Sequence, residues 1–121
     1  MAANPPVDLA HLARYTGGDA GLNAEVLRLF CGQSEQLIGR LKTTVEAGDA
    51  RSWREITHSL KGAARGIGAF ELADFAAAIE PLDPMSDRDG AHAALHELSN
   101  RAQMVQWFID EYLAGQSRVH A

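Results

Sequence analysis

The placement of proline constrains the fold of this chain more than any other feature. The four prolines lie at positions 5, 6, 81 and 84, so the 74 residues from Val7 to Glu80 contain none. Proline interrupts helices because it lacks the backbone N–H and its ring clashes with the preceding turn. Alanine and leucine supply 34 of the 121 residues, whereas valine, isoleucine and threonine supply 14. Since β-branched residues favour strands and alanine and leucine favour helices, the sequence predicts an all-α protein.

Aspartate and glycine divide the proline-free stretch into predicted helices. Asp8, Asp19 and Asp49 each precede a segment whose apolar residues recur at steps of three or four, and aspartate is a preferred N-cap. The Gly17-Gly18 pair and Gly48 suit the ends of the preceding helices, because glycine readily adopts the left-handed conformation found there. The first helix is therefore short, and the second and third are long.

Two further helices complete the predicted set. A fourth covers about Ala69 to Pro81, and the Pro81–Pro84 stretch turns the chain. Ser86 with Asp89 resembles a capping box for the last helix, which we expect to end at Gly115. Four substantial amphipathic helices with short connections favour an antiparallel four-helix bundle, with the short N-terminal helix lying across one end. We expect one domain over residues 1–121, with a core of about 7–114 and a frayed tail at 115–121.

Charge and cysteine content exclude several classes of protein. The formal net charge is −5, which argues against nonspecific binding to nucleic acid or to an anionic membrane surface. Cys31 is the single cysteine, so an internal disulfide framework is excluded. Neither a signal peptide nor a membrane-spanning run of apolar residues is visible. We therefore expect a small cytoplasmic protein, and we expect it to be a monomer.

The third predicted helix carries the most informative surface. Its residues Trp53, Ile56, Leu60, Ala64 and Ile67 fall on one side of a helical wheel. His58 falls roughly opposite, on the outward side of the same helix. Residues 49–66 hold four basic residues against two acidic ones, a local excess of +2 in an acidic chain. The histidine is therefore predicted to lie exposed among cations.

Chemistry alone leaves two interpretations of this surface open. A basic helix face that only contacts water is common. Alternatively, the neutral imidazole of His58 is a nucleophile near pH 7, and neighbouring cations disfavour its protonation. Lys61, one turn further on, could stabilise phosphoryl oxygens, and the missing side chain of Gly62 leaves room for another molecule to approach the ring.

The amino-acid sequence of this segment resembles that of a known family. His58-Ser59-Leu60-Lys61-Gly62-Ala63-Ala64, followed by Ile67-Gly68-Ala69 and Leu72, looks like the signature of histidine-containing phosphotransfer (HPt) domains. The resemblance covers roughly residues 7–113, since other short segments also recur in that family's pattern: Val7-Asp8-Leu9, Gly17-Gly18-Asp19, Leu29-Phe30 and Ala47-Gly48-Asp49. It implies a four-helix bundle that relays phosphoryl groups between receiver aspartates through one surface histidine.

The resemblance also implies roles for individual residues. His58 matches the phosphoacceptor, with Nε2 as the phosphorylated atom, and Lys61 and Gly62 match the supporting lysine and the small residue beside the site. Glu80 falls where relatives often carry a residue that hydrogen-bonds the imidazole, so its carboxylate would orient the ring. Arg65 is larger than the residue usually found there; it would add to phosphoryl binding or restrict which receivers dock.

The implied partners are the receiver domain of a hybrid histidine kinase and the receiver of a response regulator. The chain has no glycine-rich nucleotide loop and no Asp-Phe-Gly metal motif, so we expect a phosphocarrier without ATP-dependent kinase activity. It needs no cofactor of its own, because Mg²⁺ is expected on the receiver. Two alternatives remain: a helical adaptor that binds receiver or kinase domains without carrying phosphate, and a module detached from a larger hybrid kinase.

Several other residues are weaker candidates. The residues proposed to contact a receiver are Leu9, Leu12, Arg54, Ser59 and Gly62, although Leu9 and Leu12 are equally compatible with a place in the core. His92 and His96 have a spacing that can hold a metal ion, but no third ligand is evident, so we assign no metal site. Cys31 is expected to be buried as a small hydrophobe, and Trp107 to pack on or beside the apolar seam. His11 and His120 lie near the chain termini and support no site.

Overall fold

The computed structural model of the chain describes residues 5–119, with side chains to residue 116. Every regular element in this range is an α-helix, as the composition predicts. None of these helices is both long and apolar enough to cross a membrane. The five helices are α1 (Leu9–Thr16), α2 (Ala20–Ala47), α3 (Ala50–Gly66), α4 (Phe70–Ile79) and α5 (Arg88–Val119).

The first three helices begin at the predicted aspartate caps. A carboxylate oxygen of Asp8 accepts the N–H of His11, and one of Asp19 accepts the N–H of Leu22 at 2.8 Å. Asp49 accepts both the hydroxyl and the N–H of Ser52, and these hydrogen bonds hold the pKa of its carboxyl below its usual value. Because the pKa is depressed in the folded state, this stabilisation is present at neutral pH and is lost as the pH falls through the folded pKa.

Glycine ends the first two helices in the left-handed conformation. Gly17 and Gly48 both have φ of 65°, and their N–H groups donate to carbonyls of the last turn. These hydrogen bonds satisfy carbonyl groups that the helix itself leaves unpaired. Both predicted boundaries are confirmed.

The four long helices form a closed ring around one core. Helix α2 packs between α3 and α5, and α4 packs between the same two neighbours from the other side. Short turns join α2 to α3 and α3 to α4, so the chain reverses direction at each of them. The bundle topology is therefore as predicted.

The short helix α1 lies at one end of the bundle. It packs against α2, and the N–H of Asp8 just before it donates to the carbonyl of Gly68 in the α3–α4 turn at 2.9 Å. Val7 is fully buried beside this turn. The N-terminal helix is thus fixed to the bundle through the end at which α3 turns into α4.

The core consists mainly of aliphatic residues, with the aromatic residues Trp53 and Phe30. All five inward positions predicted for α3 are buried, and Trp53 is fully inaccessible. Buried positions on the other helices include Leu27, Phe30, Leu37, Leu41 and Val45 on α2, Leu72, Ala76 and Ile79 on α4, and Leu95, Leu98, Val105 and Ile109 on α5. Burial of these side chains is the main favourable contribution to the free energy of folding.

Two predictions about α5 are wrong. Its first turn is capped by Asp87, which accepts the N–H of Gly90 at 2.9 Å, and not by Ser86. The helix also does not end at Gly115 but continues to Val119. A glycine costs a helix about 1 kcal/mol relative to alanine, which is too little to end it where the chain has no other reason to turn. Residues 115–119 of the predicted frayed tail are therefore helical, and residues 120 and 121 lie outside the described residues.

The α3–α4 turn requires glycine at position 68. Gly68 has φ of 85°, and a Cβ on it would lie 2.6 Å from the carbonyl oxygen of Asp8. Gly68→Ala should therefore lower the free energy of unfolding by about 1–3 kcal/mol, measured by urea denaturation.

Gly66→Ala is the matched control for this prediction. Gly66 lies two residues away at the end of α3, and a Cβ there would meet open space. This variant should be as stable as the wild type or slightly more stable. Equal stability of Gly68→Ala and the wild type would contradict the structural requirement for glycine at position 68.

Candidate functional site

His58 lies on the outward side of α3, as the helical wheel predicts. Its side chain is 67% exposed, whereas Thr57 beside it is fully buried. The Thr57 hydroxyl donates to the carbonyl oxygens of Trp53 and Arg54 one turn earlier, which satisfies its buried polar group inside the helix. The backbone that carries His58 is therefore held rigidly by the core, while its imidazole remains accessible.

A hydrogen bond from a buried tryptophan joins this part of α3 to the end of α4. The Trp53 indole Nε1–H donates to the carbonyl oxygen of Ile79 at 2.8 Å. Ile79 is the last residue of α4, and its carbonyl has no partner within that helix. This bond satisfies the buried indole N–H, and the same carbonyl also accepts the N–H of Leu82 at 3.1 Å in the following turn. Together these bonds hold the backbone on either side of Glu80.

Glu80 places its carboxylate beside the imidazole. Its Oε1 lies 3.4 Å from His58 Nδ1, and its side chain is 30% exposed. This distance is slightly longer than a good hydrogen bond, so the two groups are in contact without a formed hydrogen bond. With Nδ1 facing the carboxylate, Nε2 is the ring nitrogen left to react with another molecule.

The predicted cations lie along the same side of α3. Arg54 and Arg65 are exposed, and Lys61 is half-buried. The Arg65 guanidinium lies 3.9 Å from Asp74 on α4, a loose and exposed ion pair. Because an exposed pair of this kind contributes little to stability, Arg65 keeps most of its freedom to contact a partner.

Gly62 and Ser59 complete the exposed surface around the histidine. A Cβ added at Gly62 would meet no atom within 4 Å, so nothing inside the molecule requires glycine there. Ser59 is exposed directly after His58. The structure therefore brings together His58, Lys61, Gly62, Arg65 and Glu80 on one open surface formed by α3 and the end of α4.

Comparison with known proteins agrees with this arrangement. The sequence model of the Hpt domain family matches residues 25–107, which is more than half of the chain. The chain belongs to the Hpt family. No curated protein sequence matches it closely enough to be counted a relative.

A solved structure of an Hpt protein has a similar fold. The histidine-containing phosphotransfer protein B (HptB) of Pseudomonas aeruginosa PAO1 is similar with a TM-score of 0.76 and 25% sequence identity. The similarity covers 91% of this chain and 96% of that one. The predicted family and the helical fold are therefore confirmed, and the function is histidine phosphotransfer in phosphorelay signalling. Hpt domains interact with the receiver domains of kinases and of response regulators.

One of the predicted docking residues of this Hpt domain is placed differently. Leu12 is only 1% exposed and belongs to the core, so it is not available to a partner. Leu9 is half-buried and packs against the core with its remaining surface free. Of the two interpretations left open for this pair, the core is therefore correct for Leu12.

The weaker candidates lie away from His58. His92 Nε2 lies 3.3 Å from Glu46 Oε1 on α2, and within residues 5–116 no three metal-ligating side chains come together. Cys31 is half-buried, and burial raises the pKa of its thiol. Trp107 is 59% exposed, so its predicted packing in or beside the seam is wrong. His120 lies outside the described residues.

Two features of the structure were not predicted from the sequence. The Trp53–Ile79 hydrogen bond joins residues 26 positions apart, and helical periodicity carries no information about such a contact. His11 packs edge-on against Tyr15 and Phe70 at the α1–α4 junction. The spacing of His11 and Tyr15 by four residues was the only available signal for that cluster.

A substitution at Gly62 tests whether the space beside His58 is needed for phosphoryl transfer, because the fold does not require glycine at this position. Gly62→Ala should raise the free energy of unfolding by about 0.5–1 kcal/mol, because alanine is the better helix former and its methyl group meets open space. The same variant should accept a phosphoryl group from a receiver more slowly, which a single-turnover assay measures.

Gly39→Ala on α2 is the matched control, since it is also an exposed helical glycine with nothing within 4 Å. It should gain similar stability and leave transfer unchanged. Equal transfer rates in both variants would show that the space beside His58 is not used.

Proposed function

We propose that Nε2 of His58 accepts a phosphoryl group from the phospho-aspartate of a hybrid histidine kinase receiver and passes it to the receiver of a response regulator. The observation that supports this most directly is the exposed imidazole with Nδ1 turned toward Glu80. A proton on Nδ1 leaves the Nε2 lone pair free and directed away from the protein.

The chemical step exchanges one phosphorus bond for another. The Nε2 lone pair attacks phosphorus, the N–P bond forms, and the P–O bond to the aspartate breaks with its electron pair left on the carboxylate. Phosphoryl transfer depends mainly on positioning and charge stabilisation, so the protein contributes an oriented nucleophile and nearby positive charge. Because the phosphohistidine is itself reactive, transfer is reversible.

Each of the residues around His58 has its own role in phosphoryl transfer or in receiver binding. Lys61 stabilises the phosphoryl oxygens, and Gly62 leaves room for the receiver's active site. Arg54, Ser59, Arg65 and the exposed part of Leu9 contact the receiver, and Arg65 selects among receivers because its loose pairing with Asp74 leaves it free. Glu80 orients the ring.

The catalytic metal belongs to the partner in this scheme. We expect Mg²⁺ on the receiver, next to the phospho-aspartate, and we assign none to this chain. The protein is a phosphocarrier without kinase activity of its own, in keeping with the missing nucleotide-binding motifs. The cytoplasmic location and the monomeric state remain predictions from the sequence.

The role of His58 is tested by substitution with a neutral residue. His58→Gln should abolish phosphoryl acceptance from a phosphorylated receiver while the helical fold is retained, since the side chain is exposed. Radiolabelled transfer and circular dichroism measure the two properties.

His96→Gln on α5 is the control, because it removes another exposed histidine and should transfer normally. Undiminished labelling of His58→Gln would contradict the proposal. Normal receiver binding by a wild-type protein that never becomes labelled would instead support the adaptor alternative.

Lys61 is expected to accelerate transfer without being essential. Lys61→Ala should slow single-turnover transfer about tenfold, because one charge-assisted contact to the phosphoryl oxygens is lost at a half-exposed position. Lys42→Ala, which removes an exposed lysine on α2, should have no effect. An unchanged rate in Lys61→Ala would remove the lysine from the mechanism.

A further inference from the structure

We propose that Glu80 retains the proton on Nδ1 of His58 while Nε2 carries the phosphoryl group, and that this makes phospho-His58 a better phosphoryl donor at neutral and alkaline pH. The inference rests on the proposed function of His58 as the phosphoryl carrier. It goes further because it assigns to Glu80 control over how readily the phosphoryl group leaves.

The geometry places one carboxylate against the nitrogen that does not react. Among residues 5–116, Glu80 supplies the only carboxylate within 4.0 Å of a His58 nitrogen, and it approaches Nδ1 at 3.4 Å. The Trp53–Ile79 hydrogen bond fixes the end of α4 from which Glu80 projects. The backbone from which Glu80 reaches the imidazole is therefore held in place by the core.

The other charges on this side of the molecule act in the opposite sense. Arg54, Lys61 and Arg65 lie along the same side of α3, and positive charge close to an imidazole generally works against a further proton on it. On α4, Asp74 pairs with Arg65 and offsets part of its charge, and Glu80 is the acidic group at the imidazole itself. Glu80 is therefore the negative charge placed at the ring, on a side of α3 that also carries three cations.

That proton decides what leaves when the phosphoryl group is transferred. The N–P bond at Nε2 breaks and its electron pair stays on the nitrogen. With Nδ1 protonated, the leaving group is a neutral imidazole; without that proton, it is an imidazolate anion, which is a much poorer leaving group. A carboxylate that accepts a hydrogen bond from Nδ1–H favours the protonated ring, whereas a neutral amide does so less.

The test compares phosphoryl loss from wild type and Glu80→Gln across a range of pH. Both proteins are phosphorylated with phosphoramidate, a small-molecule donor that needs no partner, and ³¹P NMR follows the loss of the N–P signal. At about pH 5 the two rates should agree, because the ring is protonated in both. At about pH 8 the variant should lose its phosphoryl group about two- to fivefold more slowly, the range expected for a partly exposed charge pair.

A matched variant controls for the change in net charge. Glu55→Gln removes a carboxylate from α3, the helix that carries His58. Glu55 lies one turn before His58 and pairs with Arg51. It should follow the wild-type pH profile. The ¹⁵N shifts of the imidazole provide a second measurement, since they should show the phosphorylated ring losing its proton at lower pH in Glu80→Gln than in the wild type or the control.

The possible results separate the two proposals. Identical pH profiles for wild type and Glu80→Gln would overturn the inference about Glu80 and leave His58 as the carrier. A uniform slowing at every pH would also overturn it, because that result indicates repulsion between Glu80 and the phosphoryl group. Failure of the wild type to become phosphorylated at His58, judged against His58→Gln, would reject the proposed function itself.

Discussion

The hydrogen bond from the buried indole of Trp53 to the carbonyl of Ile79 is the interaction on which the site most depends. It joins α3 and α4 where no loop connects them, and it does so one residue before Glu80. It holds the end of α4 against α3, in addition to the buried side chains that pack between the two helices. The indole N–H is buried and has this carbonyl as its partner, whereas the carbonyl also accepts the N–H of Leu82. Breaking the bond would therefore leave the buried indole N–H unsatisfied, at a typical cost of about 1–3 kcal/mol.

Much of the fold could be predicted because the helix boundaries are set by local chemistry. Asp8, Asp19 and Asp49 cap helices through contacts within three residues, and Gly17 and Gly48 end them through their own backbone angles. The predicted boundaries of α5 were wrong because its signals are ambiguous. Ser86 and Asp87 are adjacent cap residues, and a lone glycine does not decide whether a helix continues.

The sequence could predict only those features of the site that lie on the single helix α3. The periodicity of α3 indicates which side of the helix His58 occupies, and the structure agrees. The contact with Glu80 depends on how α3 packs against α4, and sequence spacing does not determine this packing. The same limit explains Leu12 and Trp107, since a helix with apolar residues on two sides does not show which side faces the core.

The separation of the two sides of α3 affects how such a domain can change over evolutionary time. Residues that hold the bundle together point inward, whereas several of those around the histidine make little contact within the molecule, as the empty space at Gly62 and the loose pairing of Arg65 show. Exposed substitutions outside such contacts usually change stability by less than about 0.5 kcal/mol. A gene duplicate could therefore exchange one signalling partner for another through a few surface replacements, without compensating mutations in the core.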